Sequence, residues 1–181
     1  MFKGIITPIV TPFKRDKDQT LDLEAMKALV DHLINKGVSG IFPLGSNGEF
    51  HVLNQSEKMI LSKAVIEHVN KRVPVYIGTG SCSTKETIEL SKQAESFGAD
   101  ALSVITPYFI KPSDEELINH YKTVASSVKI PIILYNIPKT TGCNISKEVL
   151  RELVDIDNIQ GIKDSSGDIE NLKGYLSLIH I

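Results

Sequence analysis

Apolar positions along the 181-residue chain fall into two alternating patterns: short continuous runs suited to buried strands, and longer stretches with helical spacing. Gly4 to Val10, interrupted by Pro8, predicts a first strand, and Thr11 to Thr20 is a polar loop. Asp22 is placed to cap a helix over Leu23–Lys36, whose Leu23, Met26, Leu29, Val30, Leu33 and Ile34 share one face. Gly37 stands where a left-handed C-cap belongs. Gly40–Leu44 predicts a second strand running into Gly45-Ser46-Asn47-Gly48-Glu49-Phe50. Asn54 and Glu57 have capping-box spacing for a helix to about Asn70. Val73–Gly78 is the third predicted strand, and Ser83 with Glu86 opens a helix to Phe97, closed by Gly98. Ala101–Thr106 is the fourth, followed by a Ser113/Glu116 box and a helix to about Val128. Ile130–Tyr135 is the fifth, Asn136–Asn144 its loop, Ser146–Val154 a helix, and Ile159–Ile162 the sixth strand.

Apolar strands alternating strictly with helices imply a parallel sheet covered on both faces. An open doubly wound sheet and a TIM (β/α)8 barrel both fit that order. Polar Gly, Ser, Thr, Tyr and Lys residues follow strands two to six, and so many strand ends converge on one point only when the sheet closes. An open sheet would instead carry a glycine fingerprint after its first strand, and none is present. The fold class is therefore α/β, a TIM barrel. A complete barrel needs about 250 residues, and about six βα units are legible here. The chain is thus read as a single barrel domain over 1–181, C-terminally truncated. The apolar tail Leu176–Ile181 leaves open whether the last five or so residues belong to the natural frame.

Composition removes several function classes. A net charge of −2 without a basic run argues against nucleic acid or an anionic membrane as partner. No apolar stretch reaches the roughly 18 residues of a membrane span, and no signal-peptide pattern opens the chain. Cys82 and Cys143 lie far apart with no metal-ligand spacing, and are read as reduced thiols of a cytoplasmic protein. No metal site is expected.

The candidate chemistry centres on Gly161-Ile162-Lys163-Asp164-Ser165-Ser166-Gly167-Asp168. A lysine at the C-terminal end of a buried strand loses hydration, which lowers its pKa and frees the amine to attack a carbonyl carbon. The same position also suits a lysine that snorkels into solvent. Tyr135, closing strand five, should point into the same mouth and could relay protons, or could simply bond the backbone. The Ser46-Asn47-Gly48 turn offers backbone N–H groups for a carboxylate, although such turns are also common structural devices. Tyr108 after Pro107 is a loop aromatic with a functional or a packing role. Glu49 is read as an acceptor for loop N–H groups and His51 as a surface residue.

Four of these stretches occur together in order: Gly45-Ser46-Asn47-Gly48-Glu49, Pro107-Tyr108-Phe109, Tyr135-Asn136-Ile137-Pro138 with Thr141-Gly142, and Gly161-Ile162-Lys163-Asp164. With the opening Gly4-Ile5-Ile6-Thr7-Pro8 and Thr11-Pro12-Phe13, the chain over 1–175 resembles the dihydrodipicolinate synthase / N-acetylneuraminate lyase family of pyruvate-dependent class I aldolases. The resemblance implies a Schiff base between Lys163 and pyruvate or another 2-oxo acid, with an aldehyde or oxo acid as the second substrate. It implies Tyr135 as proton shuttle and Ser46, Asn47 and Gly48 at the pyruvate carboxylate, with Ser46 also in the relay. Tyr108 would complete the relay from a neighbouring subunit of a homotetramer. No cofactor beyond the covalent imine is implied.

One departure bears on the branch of the family. Thr140 stands where synthase members usually carry an Arg that clamps the second substrate's carboxylate, and a neutral hydroxyl cannot make that bidentate contact. Lys139, one residue away, would point elsewhere on an extended segment. This favours 2-oxo-acid aldolases, of 4-hydroxy-2-oxoglutarate or sugar-acid type, over 4-hydroxy-tetrahydrodipicolinate synthase or N-acetylneuraminate lyase. Rival readings are a non-catalytic 2-oxo-acid sensor on the same scaffold and an inert fragment with unpaired strand edges.

Overall fold

The computed structural model describes residues 3–178; of the tail discussed above, 179–181 lie outside the described residues. The chain divides into two compact units, one formed by Met1–Gly78 with Gln93–Ala101, the other by Thr79–Lys92 with Leu102–Ile181.

In the first unit β1 (Ile6–Pro8) pairs in parallel with β2 (Gly40–Phe42), in the register Ile6 to Gly40 and Pro8 to Phe42. Both strands are shorter than the apolar runs predict, although Ile9 N–H still donates to Phe42 O at 3.0 Å. Between them lies α1 (Leu23–Asn35), started where Asp22 accepts from Ala25 N–H at 2.9 Å. Helix α2 (Gln55–Val69) opens with the reciprocal box of Asn54 and Glu57. The two helices pack together, burying Met26, Val30, Leu61 and Val65 almost completely. Next comes β3 (Tyr76–Gly78), beside β2: Gly78 N–H donates to Pro43 O at 3.2 Å, and a Cβ at Gly78 would lie 2.0 Å from Leu44 O. Only glycine permits that approach.

The second unit contains the first part of α3 (Thr84–Phe97), then β4 (Ala101–Ile105), α4 (Asp114–Ser127), β5 (Ile132–Asn136), α5 (Pro138–Thr141), α6 (Lys147–Arg151), β6 (Ile159–Asp164) and α7 (Ile169–Leu176). Strands β4, β5 and β6 are parallel neighbours, with Ile105 opposite Tyr135 and Tyr135 opposite Lys163. Leu102, Val104, Leu134, Leu117, Val124, Ile145 and Leu150 form its core, each at most 1% exposed. The box at Ser113 and Glu116 forms as expected. At α3, Glu86 N–H donates to Ser83 Oγ at 3.4 Å, and the Glu86 carboxylate accepts from Ser81 Oγ at 2.6 Å.

Later in the chain, three segments depart from expectation in ways that bear on the site. Residues 138–141 are one helical turn, with Pro138 supplying the fixed φ of a first helical residue and Gly142 (φ +70°) ending it. Helix α6 is shorter than Ser146–Val154, because the chain tightens after Arg151: Leu153 N–H bonds Leu150 O and Ile156 N–H bonds Leu153 O. Strand β6 runs two residues past Ile162, so Lys163 and Asp164 lie inside the ladder.

Candidate active site

The extension of β6 creates the central contact of the second unit. Paired residues on adjacent parallel strands point to the same face, so the Tyr135–Lys163 pair brings phenol ring and amine together. Lys163 Nζ lies 3.8 Å from the centroid of the Tyr135 ring and donates to Ser165 Oγ at 2.9 Å. The ring is 6% exposed, and the lysine is partly buried. A cation over a phenol face gains about 0.5–2 kcal/mol, more as water is excluded. The amine is thus parked between a π-face and a hydroxyl, without a carboxylate partner among the described residues. Ser165 was absent from the sequence-based site. Its signal was available in the two-residue spacing from Lys163, which keeps both side chains on one face.

One residue further along both strands, Asn136 faces Asp164. Asn136 is fully buried and its Nδ2 lies 2.9 Å from Asp164 Oδ1, 2.9 Å from Asn144 Oδ1 and 3.1 Å from the Tyr175 hydroxyl. Asn136 Oδ1 accepts from Ile145 N–H at 2.9 Å. Asp164 accepts from Ser166 through both N–H (3.3 Å) and Oγ (2.7 Å), and Ser166 Oγ accepts from Asp168 N–H. Asp168 caps α7, and from α7 Asn171 and Tyr175 return to the starting point: Asn171 Nδ2 donates to the Tyr175 hydroxyl, which donates to Ile145 O. Burial first, with Asp164 and Asp168 adding to it, pushes the Tyr175 phenol up to about 12, so it stays a donor.

Tyr108 sits on the loop after β4 and is half-buried. Its carbonyl accepts from Cys82 Sγ at 3.1 Å. Burial, then the neighbouring Cys82 and Glu86, raise its phenol to about 12, which suits a proton donor better than a base. The next residue, Phe109, is 91% exposed and held at φ +76°, a conformation that costs a bulky residue about 1–3 kcal/mol. Thr140 lies exposed on α5, while Thr141 turns inward and donates from Oγ1 to Cys143 O at 3.0 Å. Lys139, expected on an extended segment, is on this helical turn, and its Nζ is 4.0 Å from where a Cβ on Gly167 would stand. It therefore reaches the loop that follows Lys163.

In the first unit Ser46–Gly48 form a 3₁₀ turn flanked by Leu44 (φ +59°) and Glu49 (φ +55°). Ser46 is half-buried, Asn47 exposed and Gly48 buried. Gly48 N–H bonds Gly45 O, Glu49 N–H bonds Ser46 O, and buried Thr11 Oγ1 donates to Gly48 O at 2.6 Å. The turn is thus braced from behind. Among the described residues the Glu49 side chain accepts no loop N–H, contrary to expectation; it lines a cleft of about 250 Å³ with Phe13, Asp18, Gln19 and Glu57. His51 is exposed, as expected.

Both cysteines are free thiols, and no group of three His, Cys, Asp or Glu side chains among the described residues could hold a metal ion. No helix among the described residues is long and apolar enough to cross a membrane.

A 4-hydroxy-tetrahydrodipicolinate synthase from Geobacter metallireducens is 45% identical over 178 residues, which are 98% of this chain and 60% of the relative. A putative 2-dehydro-3-deoxy-D-gluconate aldolase, YagE of Escherichia coli K12, is 44% identical over 181 residues, 99% of this chain and 58% of the relative. The crystal structure of YagE in complex with pyruvate superposes with a TM-score of 0.94 at 42% identity, covering 99% of this chain and 60% of that one. Chloride-inhibited dihydrodipicolinate synthase from Acinetobacter baumannii, also complexed with pyruvate, gives 0.93 at 41% identity, covering 98% and 60%. The chain thus spans about 60% of the length of these relatives, and its fold class is the TIM-barrel type of these neighbours. The model of the dihydrodipicolinate synthetase family matches residues 1–180, and the chain belongs to that family.

Proposed function

We propose that the protein to which this chain belongs is a pyruvate-dependent class I aldolase working through a Lys163 imine. The observation that carries the reading is the Lys163 amine resting on the Tyr135 ring and bonded to Ser165 Oγ. The amine adds to the C2 carbonyl of pyruvate, and the carbinolamine loses water to give a protonated imine. That imine withdraws electrons from C3, so loss of a C3 proton gives an enamine that attacks the aldehyde or oxo-acid carbonyl. Cleavage is the same path reversed, and water releases the product from Lys163. Tyr135 shuttles protons to and from the carbinolamine, with Ser46 and Tyr108 completing the relay. Ser46, Asn47 and Gly48 hold the pyruvate carboxylate. Chemistry of this kind is carried by the imine itself. The pyruvate complexes of two neighbours support pyruvate as first substrate.

For the second substrate, Thr140 favours the 2-oxo-acid aldolase branch, because a hydroxyl cannot clamp a carboxylate as a guanidinium does. The alternative is 4-hydroxy-tetrahydrodipicolinate synthase, the name borne by several similar curated proteins. A single barrel domain, a cytoplasmic location and assembly as a homotetramer complete the proposal.

Borohydride trapping with pyruvate tests it, read by intact mass and peptide mapping, on this chain and on the full product of its gene. An adduct at Lys163, absent from Lys163→Ala, is expected. No adduct in the full product overturns the reading.

A further inference from the structure

We propose that Asn136 and Asp164 are a positioning pair for the Lys163 amine, closing a hydrogen-bonded circuit behind the reacting row; the inference rests on the Schiff-base reading above. The circuit runs Asn136–Asp164–Ser166–Asp168, enters α7 through the Asp168 cap, and returns through Asn171 and Tyr175 to Asn136. Every member except the exposed cap region is half-buried or buried, and Asn136 is wholly buried.

The orientation of the Asn136 amide is set by chemistry. Ile145 N–H can only donate, so the atom 2.9 Å from it is the carbonyl Oδ1, and Nδ2 faces the acceptors. Its two N–H groups serve a carboxylate, an amide oxygen and a phenol oxygen, and the carboxylate bond is the charge-assisted one. Asp164 is thereby held at both ends, by Asn136 from one strand and by Ser166 from the loop.

This matters for Lys163 because the circuit fixes the backbone on both sides of it. Side chains alternate along a strand, so Asn136 and Asp164 point away from Tyr135 and Lys163 while sharing their peptide planes. Ser165 N–H donates to Asn136 O at 2.8 Å, so the same asparagine anchors the residue whose Oγ holds the amine. Release of Asp164 would free the 164–168 loop, and Ser165 with it. The amine would then sample orientations that do not meet a carbonyl carbon within bonding reach, a loss of pre-organisation rather than of any reacting group.

The test uses the full product of the gene and the variants Asn136→Asp, Asp164→Asn, the combined exchange of both, and Ser166→Ala. Two readouts are taken: the pyruvate–borohydride trapping rate at Lys163, and its reductive methylation by formaldehyde, which needs no pyruvate site. Each single exchange is expected to slow trapping at least tenfold with pyruvate KM changed less than threefold. The double exchange, which restores one amide facing one carboxylate, is expected to recover at least half the rate. Asn136→Asp faces two carboxylates, which must share a proton, so its trapping rate should rise as pH falls from 8 to 6, relative to wild type. Ser166→Ala, half-buried and away from the core, keeps the fold accessible if the buried exchanges do not fold, and is expected to slow trapping about threefold or more. Single exchanges and Ser166→Ala within twofold of wild type overturn the proposal, as does a folded double exchange no faster than the singles. Wild-type protein that is methylated at Lys163 but never trapped by pyruvate refutes the Schiff-base reading instead, and the methylation rates of the variants still decide the positioning role.

Discussion

Replacing Tyr135 by Phe or by Leu separates the two jobs proposed for one side chain, proton shuttle and seat for the Lys163 amine. Phe keeps a ring face 3.8 Å from the Lys163 amine and removes only the hydroxyl; Leu removes both. The ring is 6% exposed, so Phe leaves the packing intact and should cost at most about 1 kcal/mol of stability through the lost hydroxyl. Loss of the proton shuttle should lower turnover about 10²- to 10⁴-fold, or about 3–5 kcal/mol in the barrier. The final yield of borohydride adduct, which requires only that Lys163 still forms the imine, should stay near wild type in Tyr135→Phe. Tyr135→Leu should lose turnover equally and also lose the seat of the ammonium, a further 0.5–2 kcal/mol or so. The assay is steady-state cleavage of a 2-oxo-acid aldol beside single-turnover trapping of pyruvate. Turnover within threefold of wild type in Tyr135→Phe would refute the relay role. Phe and Leu variants with identical Lys163 methylation rates would refute the ring as a seat.

Other consequences reach beyond that pair. His120 is 5% exposed, its Nδ1 shares a hydrogen bond with Thr84 Oγ1 at 2.9 Å, and its Nε2 has no partner among the described residues. Burial lowers its pKa from 6.5 to about 4, so its contribution to stability is complete above about pH 6.5 and is lost as pH falls towards 4. Denaturant unfolding between those pH values should lose up to about 3 kcal/mol in wild type and less in His120→Leu; equal slopes would refute the assignment. Gly78→Ala forces a Cβ to 2.0 Å from Leu44 O, so it should destabilise by about 3 kcal/mol or more, or prevent soluble expression; a melting temperature within a degree of wild type would contradict that close approach. Thr140→Arg should raise kcat/KM for aldehydes bearing a carboxylate about tenfold over matched neutral aldehydes, and an unchanged ratio in an aldehyde panel would remove Thr140 from the substrate path.

Much of the fold was legible because its punctuation is chemical. Asp22, Asn54, Ser113 and Ser146 each accept the backbone N–H that an N-cap should, and the helix starts follow from them. The strands were less well bounded, because an apolar run marks burial and the ladder ends where partners stop. The apolar run ending at Ile162 put Lys163 at the end of its strand and Asp164 in the polar loop, yet both residues pair with β5, because the ladder continues through polar residues where the core ends. The turn over 138–141 was hidden by Lys139, Thr140 and Thr141, whose individual preferences say little over four residues. Ser165 and Asn136 were missed for a common reason. Each acts through a partner brought close by the ladder, and one strand read alone does not reveal what stands opposite.

The adjacency of two rows on one pair of strands has a consequence for how this scaffold can be recombined. Tyr135 and Lys163 occupy one rung, Asn136 and Asp164 the next, and about two dozen residues separate the strands in sequence. A chimera crossed over between residues 137 and 158 takes β5 from one parent and β6 from another, mixing both rungs at once. Crossovers before β5 or after α7 leave them intact. Libraries built from relatives should therefore inherit residues 132–176 as a single block, with variation confined to the exposed turn carrying Lys139 and Thr140 rather than extended to the strands that support it.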